Sequence, residues 1–294
     1  MADKKAVSSI IASLGVVGVG AFFAWAGSQG GVTVGSMPVF ALVVCYIFAV
    51  QWLSFVPSYL GRTERYYDLT GSFTYISAIV IAVVLSGATE ARSIMLLVLV
   101  LVWAGRLGPF LFRRVRRAGR DGRFDEIKRS FTRLFMTWTL QGLWVSLTLA
   151  AALAAVTSTE PKALDVFAFV GLAVWIIGFA FEATADYQKS RFRVEPGNKG
   201  SFITSGLWSI SRHPNYFGEI TLWVGIALIA LPVLRGWQYA TLISPVFVYL
   251  LITRVSGVPL LEKKADATWG GQEPYEAYKR RTPVLVPFLG RKER

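Results

Sequence analysis

The chain holds a single cysteine, Cys45, and a single histidine, His213, in 294 residues. One cysteine excludes a disulfide framework and a cysteine-rich metal site. One histidine excludes a multi-histidine metal centre. Charge is also scarce. Charged residues make up 17% of the chain, with 18 acidic residues against 31 basic ones. With 54% hydrophobic residues, such a chain falls outside the usual range of soluble domains. No Gly-rich dinucleotide fingerprint is present, so a Rossmann site is excluded. No repeat or low-complexity linker divides the sequence, and it reads as one membrane domain over residues 1–294.

The apolar residues that are present lie in long runs, such as 93–107, 140–156 and 166–181. A run of roughly 18 or more apolar residues spans the hydrocarbon core as a helix. In lipid the backbone must satisfy its own polar groups, so helices are the expected elements. Eight spans are expected near 6–26, 38–60, 71–87, 91–112, 132–156, 164–184, 216–234 and 237–260. The fold class is therefore all-α, a polytopic transmembrane bundle of about eight helices, with seven the alternative. The first run, 6–27, is long enough to span and is read as a retained helix rather than a signal peptide.

The net charge of +13 follows the spans. With both termini inside, the inner segments hold 26 of the 31 Lys and Arg residues. Arg92, Lys162 and Arg235 fall outside, and Arg106 and Arg254 lie within spans. That asymmetry is the positive-inside pattern; a seven-helix reading would put one end of the basic set outside. The stretch 113–133 carries nine basic residues: Arg113, Arg114, Arg116, Arg117, Arg120, Arg123, Lys128, Arg129 and Arg133. Directly after a membrane helix, such a run sets topology and meets anionic headgroups rather than nucleic acid. The expected location is an integral membrane, such as a bacterial inner membrane, with the site opening to the cytoplasm.

Ionisable residues in membrane helices are costly and face a cavity or a partner. Glu182 and Asp186 are four apart near the end of the sixth span, so they share a face. Asn215 and Glu219 are again four apart at the start of the seventh, and Arg106 and Arg254 sit in the fourth and eighth. Inter-helix ion pairs would account for this set. A polar cofactor pocket accounts better for the mixture of signs on one side. Pro214 turns the chain at His213, and a helix is expected to begin near Asn215 as its N-cap. That terminus and Arg212 would together suit a phosphate or carboxylate; a membrane-entry turn with a snorkelling Arg is the plain alternative. Gly15, Gly18 and Gly20 suggest close packing of the first helix. Trp138, Trp144, Trp208 and Trp223 suggest interface anchors or core. Gln51 and Gln141 would either bond between helices or line a chamber.

Residues 206–219, containing Ser-Arg-His-Pro-Asn-Tyr-Phe-Gly-Glu, resemble the C-terminal region of the steroid 5-alpha-reductase family, most closely its bacterial branch of unknown-function membrane proteins. The resemblance runs from about residue 66 to 288. It implies N-terminal spans over 1–65, a reductase-like core over 66–294 and a cofactor region over 182–288. It implies NADPH as cofactor, with Asp186, Arg193, Asn215 and Glu219 lining its site and Arg254 as a further contact. Arg212, His213, Tyr216, Glu182, Glu262 and Tyr278 complete the expected cofactor set. The tail from Tyr275 to Phe288 is similar to the family's closing segment. There are departures. Glu182 stands where the steroid enzymes carry Asn, Val258 where they carry His, Glu262 where they carry Tyr, and Trp103 where they carry a substrate-side Tyr.

The implied reaction is reduction of a polarised carbon–carbon double bond in a steroid or other enone lipid entering from the bilayer, with no metal and no nucleic acid. Asp68 aligns with the family's substrate-side acid and is expected in the short loop before the third span. Burial there would favour its protonated form as the catalytic acid; a helix cap or a partner for Arg62 or Arg65 is the alternative. Tyr67 and Tyr66 are the next catalytic candidates. Arg212, His213, Pro214, Tyr216, Gly218 and Glu262 also resemble the isoprenylcysteine carboxyl methyltransferases, which use S-adenosylmethionine. A non-catalytic lipid binder is a third reading, against which the dense polar cluster argues.

The charge asymmetry makes the topology testable. In a Cys45-free background, single cysteines near residues 30, 122, 160 and 290 are exposed to an impermeant thiol reagent in intact cells. The first and third should label. Labelling near residue 290 would break the eight-helix arrangement.

Overall fold

A computed structural model describes residues 2–118 and 124–289. Arg120 and Arg123 of the basic stretch, and the labelling positions near 122 and 290, lie outside the described residues. The fold is all-α apart from one two-stranded hairpin, Thr33–Val34 with Met37–Pro38. The helices are α1 (Ala2–Gly27), α2 (Val39–Leu60), α3 (Tyr67–Ser86), α4 (Ala91–Ala118), α5 (Phe131–Val156), α6 (Val166–Val194), α7 (Pro214–Ala230), α8 (Ile243–Leu250), α9 (Gly257–Trp269) and α10 (Glu273–Arg281). Eight segments among the described residues are long and apolar enough to cross a membrane. Each overlaps one expected span.

The helix ends differ from expectation because hydropathy registers only the apolar part of a helix, while the hydrogen-bonded ladder continues past it. Helix α3 begins at Tyr67, so Asp68 lies in a first helical turn and not in a loop. Helix α4 continues to Ala118, about three turns beyond Arg106. Helix α6 continues to Val194 and makes Asp186 and Arg193 helical. The last span is not one helix. It runs through a 3₁₀ segment (Gly236–Leu242), α8, a π-turn (Leu251–Val255) and α9. Pro259 explains the break at Ser256: it has no N–H to offer the carbonyl four residues back, and its ring crowds that carbonyl.

The chain packs as two compact units, Met1–Ala168 with Ile229–Ser244 and Phe169–Leu228 with Pro245–Arg294. In the first unit α5 is central, with 89% of its span buried. Its small residues, Gly142 and Ala150–Ala152 among them, let neighbouring helices come close; a Cβ on Gly142 would sit 3.0 Å from the Phe48 ring. Gln51 donates to Thr74 Oγ1 at 2.8 Å and Gln141 to the Tyr67 carbonyl at 3.1 Å, so both glutamines bond between helices. Arg92 is 2% exposed. It donates to the carbonyls of Lys162, Ala163 and Ile229 and pairs with Asp165 at 2.9 Å. Desolvation would push the Asp165 carboxyl up, but the Arg92 hydrogen bond and the Ala168 amide hold it below its ordinary range. Gly15 and Gly18 correct an expectation: a Cβ on either would meet nothing within 4 Å. Both lie on an exposed side of α1. Of these three glycines only Gly20 packs closely, 2.9 Å from Phe48.

Close contact of helix backbone with helix backbone belongs to the second unit. A Cβ on Gly178 of α6 would lie 2.4 Å from the Leu222 nitrogen. One on Gly218 of α7 would lie 2.5 Å from the Glu182 nitrogen, and one on Gly225 would lie 2.6 Å from the Gly171 carbonyl. Glycines seven apart on each helix, Gly171 and Gly178 facing Gly218 and Gly225, bring the backbones together without side chains between them. Trp138, Trp208 and Trp223 are core residues at 2%, 3% and 1% exposure, and Trp144 is half-buried.

The contrast between the two sets of glycines is measurable. Gly218→Ala should lower stability in detergent by about 1–3 kcal/mol or more, because backbone cannot yield as a side chain can. Gly15→Ala and Gly18→Ala should melt with or slightly above the parent, since they trade only chain entropy. Equal melting of all three would remove the backbone contact as a constraint.

Candidate functional site

The polar face of α6 is set by its period. Glu182, Asp186, Lys189 and Arg193 recur at four, three and four residues and so share one side of the helix. Glu182 and Asp186 are 2% and 6% exposed, while Arg193, in the last turn, is exposed. On α7, Asn215 and Glu219 recur at four residues and are half-buried. The backbones touch where Gly218 faces Glu182, and one turn along each helix from there Asp186 and Asn215 meet. Asn215 Nδ2 donates to Asp186 Oδ1 at 3.3 Å.

The start of α7 corrects the expected cap. The helix begins at Pro214, which suits the first helical position because its missing N–H would have no partner there. His213 takes the place before it, its carbonyl accepting from the amides of Tyr216 and Phe217. Asn215 therefore serves Asp186 instead of capping the helix. His213 Nε2 lies 2.8 Å from Glu262 Oε1, and Arg212 pairs with Glu262 Oε2 at 2.7 Å. Both oxygens of Glu262 are thus engaged. Burial lowers the His213 pKa and outweighs the opposing hydrogen bond from Glu262. A neutral ring that gives its Nε2 proton to a carboxylate keeps a lone pair on Nδ1. The ring stacks on Tyr216, with centroids 5.6 Å apart and planes at 14°. A Cβ on Gly257 would lie 2.9 Å from that tyrosine.

The C-terminal segment holds this turn in place. Arg212 N donates to the Pro283 carbonyl at 2.9 Å, Ser211 Oγ to Leu285 at 2.7 Å, and Phe288 N to Ile210 at 3.3 Å. Tyr278 Oη donates to the Trp208 carbonyl at 2.6 Å, and Trp208 Nε1 to Ala185 on α6 at 3.1 Å. Lys189 Nζ stands 4.1 Å over the Trp208 ring. The tail's likeness to the family's closing segment marks this strap in the linear sequence, but not its bonds to residues 208–212; the paired glycines at seven-residue spacing were a legible sign of the α6–α7 contact. Arg254 lies in the π-turn and is exposed.

Three buried polar atoms of Arg212 and His213 have no hydrogen-bond partner among the described residues: Arg212 Nε and Nη1, both donors, and His213 Nδ1, an acceptor by the tautomer above; Nη1 keeps its ion-pair contact with Glu262. A nucleotide offers both complements, phosphate oxygens and hydroxyl or amide N–H groups. The residues present therefore fit a nicotinamide nucleotide. Among the described residues no group of three or more His, Cys, Asp and Glu side chains could hold a metal ion.

The expected catalytic residues lie in the first unit. Asp68 is within 3.7 Å of Arg114. Tyr67 Oη donates to the Thr137 carbonyl at 3.1 Å, with its ring edge-on to Trp138 and Phe124. Tyr66 is 53% exposed and stacks on Phe112.

Comparison with known proteins bears on the whole chain and on parts of it. Residues 54–282 match the family described as "Protein of unknown function (DUF1295)". The chain is 31% identical over 121 residues to "3-oxo-5-alpha-steroid 4-dehydrogenase 1" of Bos taurus, covering 40% of this chain and 41% of that protein. It is 28% identical to the Rattus norvegicus protein of the same name, covering 40% of each. A shorter match, 34% over 71 residues, is to "Probable O-methyltransferase ustE" of Ustilaginoidea virens, covering 24% of this chain and 25% of that protein. The chain thus spans about two fifths of the length of the steroid dehydrogenases it matches. No solved structure matches it. Since the family match covers well over half of the residues, this eight-span membrane protein belongs to the DUF1295 family.

Proposed function

We propose that the chain is an NADPH-dependent reductase of a carbon–carbon double bond in a steroid or other enone lipid drawn from the bilayer. The observation that carries this reading is the Asp186–Asn215 contact on a helix pair packed backbone to backbone. Lys189 and Arg193 share the Asp186 face of α6, and Arg212 stands three residues before Asn215. Ribose hydroxyls and a carboxamide need acceptors, for which Asp186, Glu219 and His213 Nδ1 serve. Phosphates need donors, for which Arg193 and Arg212 serve. The relatives named as steroid dehydrogenases agree with an oxidoreductase. Bound there, the nicotinamide would supply hydride. The protein's part is to orient the ring, keep water out and deliver a proton to the enolate oxygen. In this reading the basic end of the spans is cytoplasmic and the cofactor enters from that side.

A second reading has an observation of its own, the short match to a probable O-methyltransferase, and the cluster Arg212, His213 and Glu262 fits it. Against it, the methyltransferase match covers 71 residues, whereas the match to the Bos taurus steroid dehydrogenase covers 121. The two readings separate in a melting experiment on purified protein. A ligand at a hundred times its dissociation constant adds about 2.7 kcal/mol of stability. NADPH should raise the melting temperature and S-adenosylmethionine should not. The reverse result hands the site to methyl transfer. Arg193→Ala and Glu219→Ala should each weaken NADPH binding by about ten- to a hundredfold with the fold intact, the cost of one charged hydrogen bond.

For the proton we assign Asp68. The Tyr67 hydroxyl already gives its hydrogen to Thr137, and Tyr66 is open to its surroundings. The pairing of Asp68 with Arg114 admits a purely structural role as well, and Asp68→Asn separates the two. Acid catalysis requires turnover of enone lipids to fall by at least about a hundredfold while NADPH affinity is unchanged. Retained turnover would make Asp68 a helix-start residue only.

A further inference from the structure

One cavity lies apart from the residues used above. It measures about 260 Å³ and is lined by Thr63, Glu64, Arg65, Val115 and Arg116. The first three come from the connection between α2 and α3, and the last two from the closing turns of α4. Arg65 and Arg116, both exposed, therefore line one space, where an anion would offset the repulsion between their like charges. Among the described residues neither Arg65 nor Arg116 has a carboxylate within ion-pair distance. The acid in the wall, Glu64, is held by Lys128, whose Nζ is 2.9 Å from Oε2.

The connection is fixed in shape. Thr63 N donates to the Ser58 carbonyl at 3.0 Å, the Ser58 hydroxyl returns a bond to the Thr63 carbonyl, and Thr63 Oγ1 accepts from Arg65 N at 3.3 Å. Arg62 holds φ +46° although the glycine beside it keeps φ −83°, so the left-handed position is filled by a cation rather than by the residue that suits it best. The level is also informative. Helix α2 ends at Leu60, α3 begins at Tyr67, and the fourth span ends at Arg116. The cavity thus sits where three spans end, at headgroup depth. Tyr66 and Phe112 stack there 6.1 Å apart, and the Arg65 guanidinium stands 5.8 Å from the Tyr66 ring. Aromatic side chains concentrate at that level of a membrane.

We propose that this cavity binds the phosphate of an anionic phospholipid, held by Arg65 and Arg116, with Val115 and the Tyr66–Phe112 pair against the glycerol and first acyl carbons. Guanidinium forks match phosphate oxygens in pairs. A free phosphate offers the same oxygens but nothing for the apolar wall. The site stands or falls independently of the reductase reading.

The test uses the full chain in neutral detergent, melted with dioleoylphosphatidylglycerol, dioleoylphosphatidylcholine or inorganic phosphate at equal ionic strength. Phosphatidylglycerol should raise the melting temperature saturably and the other two should not. R65Q/R116Q should weaken half-saturation by about tenfold or more. R113Q/R129Q removes the same charge from outside the cavity and should leave it unchanged. Native mass spectrometry of the parent protein gives a reading independent of variants: one retained phosphatidylglycerol supports the site, and an even ladder of adducts overturns it. Equal stabilisation by phosphatidylcholine, or equal loss in R113Q/R129Q, overturns it as well. An equal shift with inorganic phosphate overturns the lipid as its source.

Discussion

How closely α6 and α7 approach decides what the site residues can do. Packed helices ordinarily keep their axes 8–10 Å apart, with side chains filling the space. Gly171, Gly178, Gly218 and Gly225 bring this pair closer than that, and Asp186 and Asn215 meet alongside the contact. A Cβ at Gly178, Gly218 or Gly225 would overlap backbone of the opposite helix. In lipid there is no hydrophobic drive between helices, so close packing and polar contacts must hold them together. The glycines supply the first, and the acid–amide contact supplies the second.

Charge inside the protein follows one rule in both units. Ionised groups taken from water need close partners, and losing one partner is costly. Arg92 meets it with three carbonyls and Asp165. Glu262 meets it with Arg212 and His213, and the C-terminal strap fixes the backbone of that same turn through Pro283 and Leu285. These clusters differ in one respect. Arg92 donates from all three of its nitrogens, whereas Arg212 Nε and Nη1 and His213 Nδ1 are left without hydrogen bonds among the described residues. A closed cluster is structural. A buried donor and acceptor side by side suit a ligand.

Residue type and spacing made part of this legible in advance. The eight spans follow from run length, because thirty ångströms of hydrocarbon demand about twenty apolar residues. The four-residue spacings of Glu182 with Asp186 and Asn215 with Glu219 put each pair on one face, as any helix must. Other readings failed for physical reasons. Asn215 looked like an N-cap by its chemistry, but Pro214 is better suited to the first helical position and the cap position falls two residues earlier, at His213. Gly15 and Gly18 looked like a packing motif, yet nothing lies opposite them. Gly178 belonged to no motif and Gly218 only to the methyltransferase-like pattern, yet they carry a backbone-to-backbone contact, because a glycine's use depends on what approaches it.

Sequence by itself determined the all-α membrane class, the number of spans and which polar residues share a helix face, since each rests on period, length and composition along one chain. Tertiary structure alone decided that Asp186 meets Asn215, that Glu262 takes both Arg212 and His213, and that residues 283–288 brace the turn at 210–212. Those pairings join positions from 29 to 78 residues apart. They depend on sub-ångström complementarity between surfaces, which no local pattern encodes.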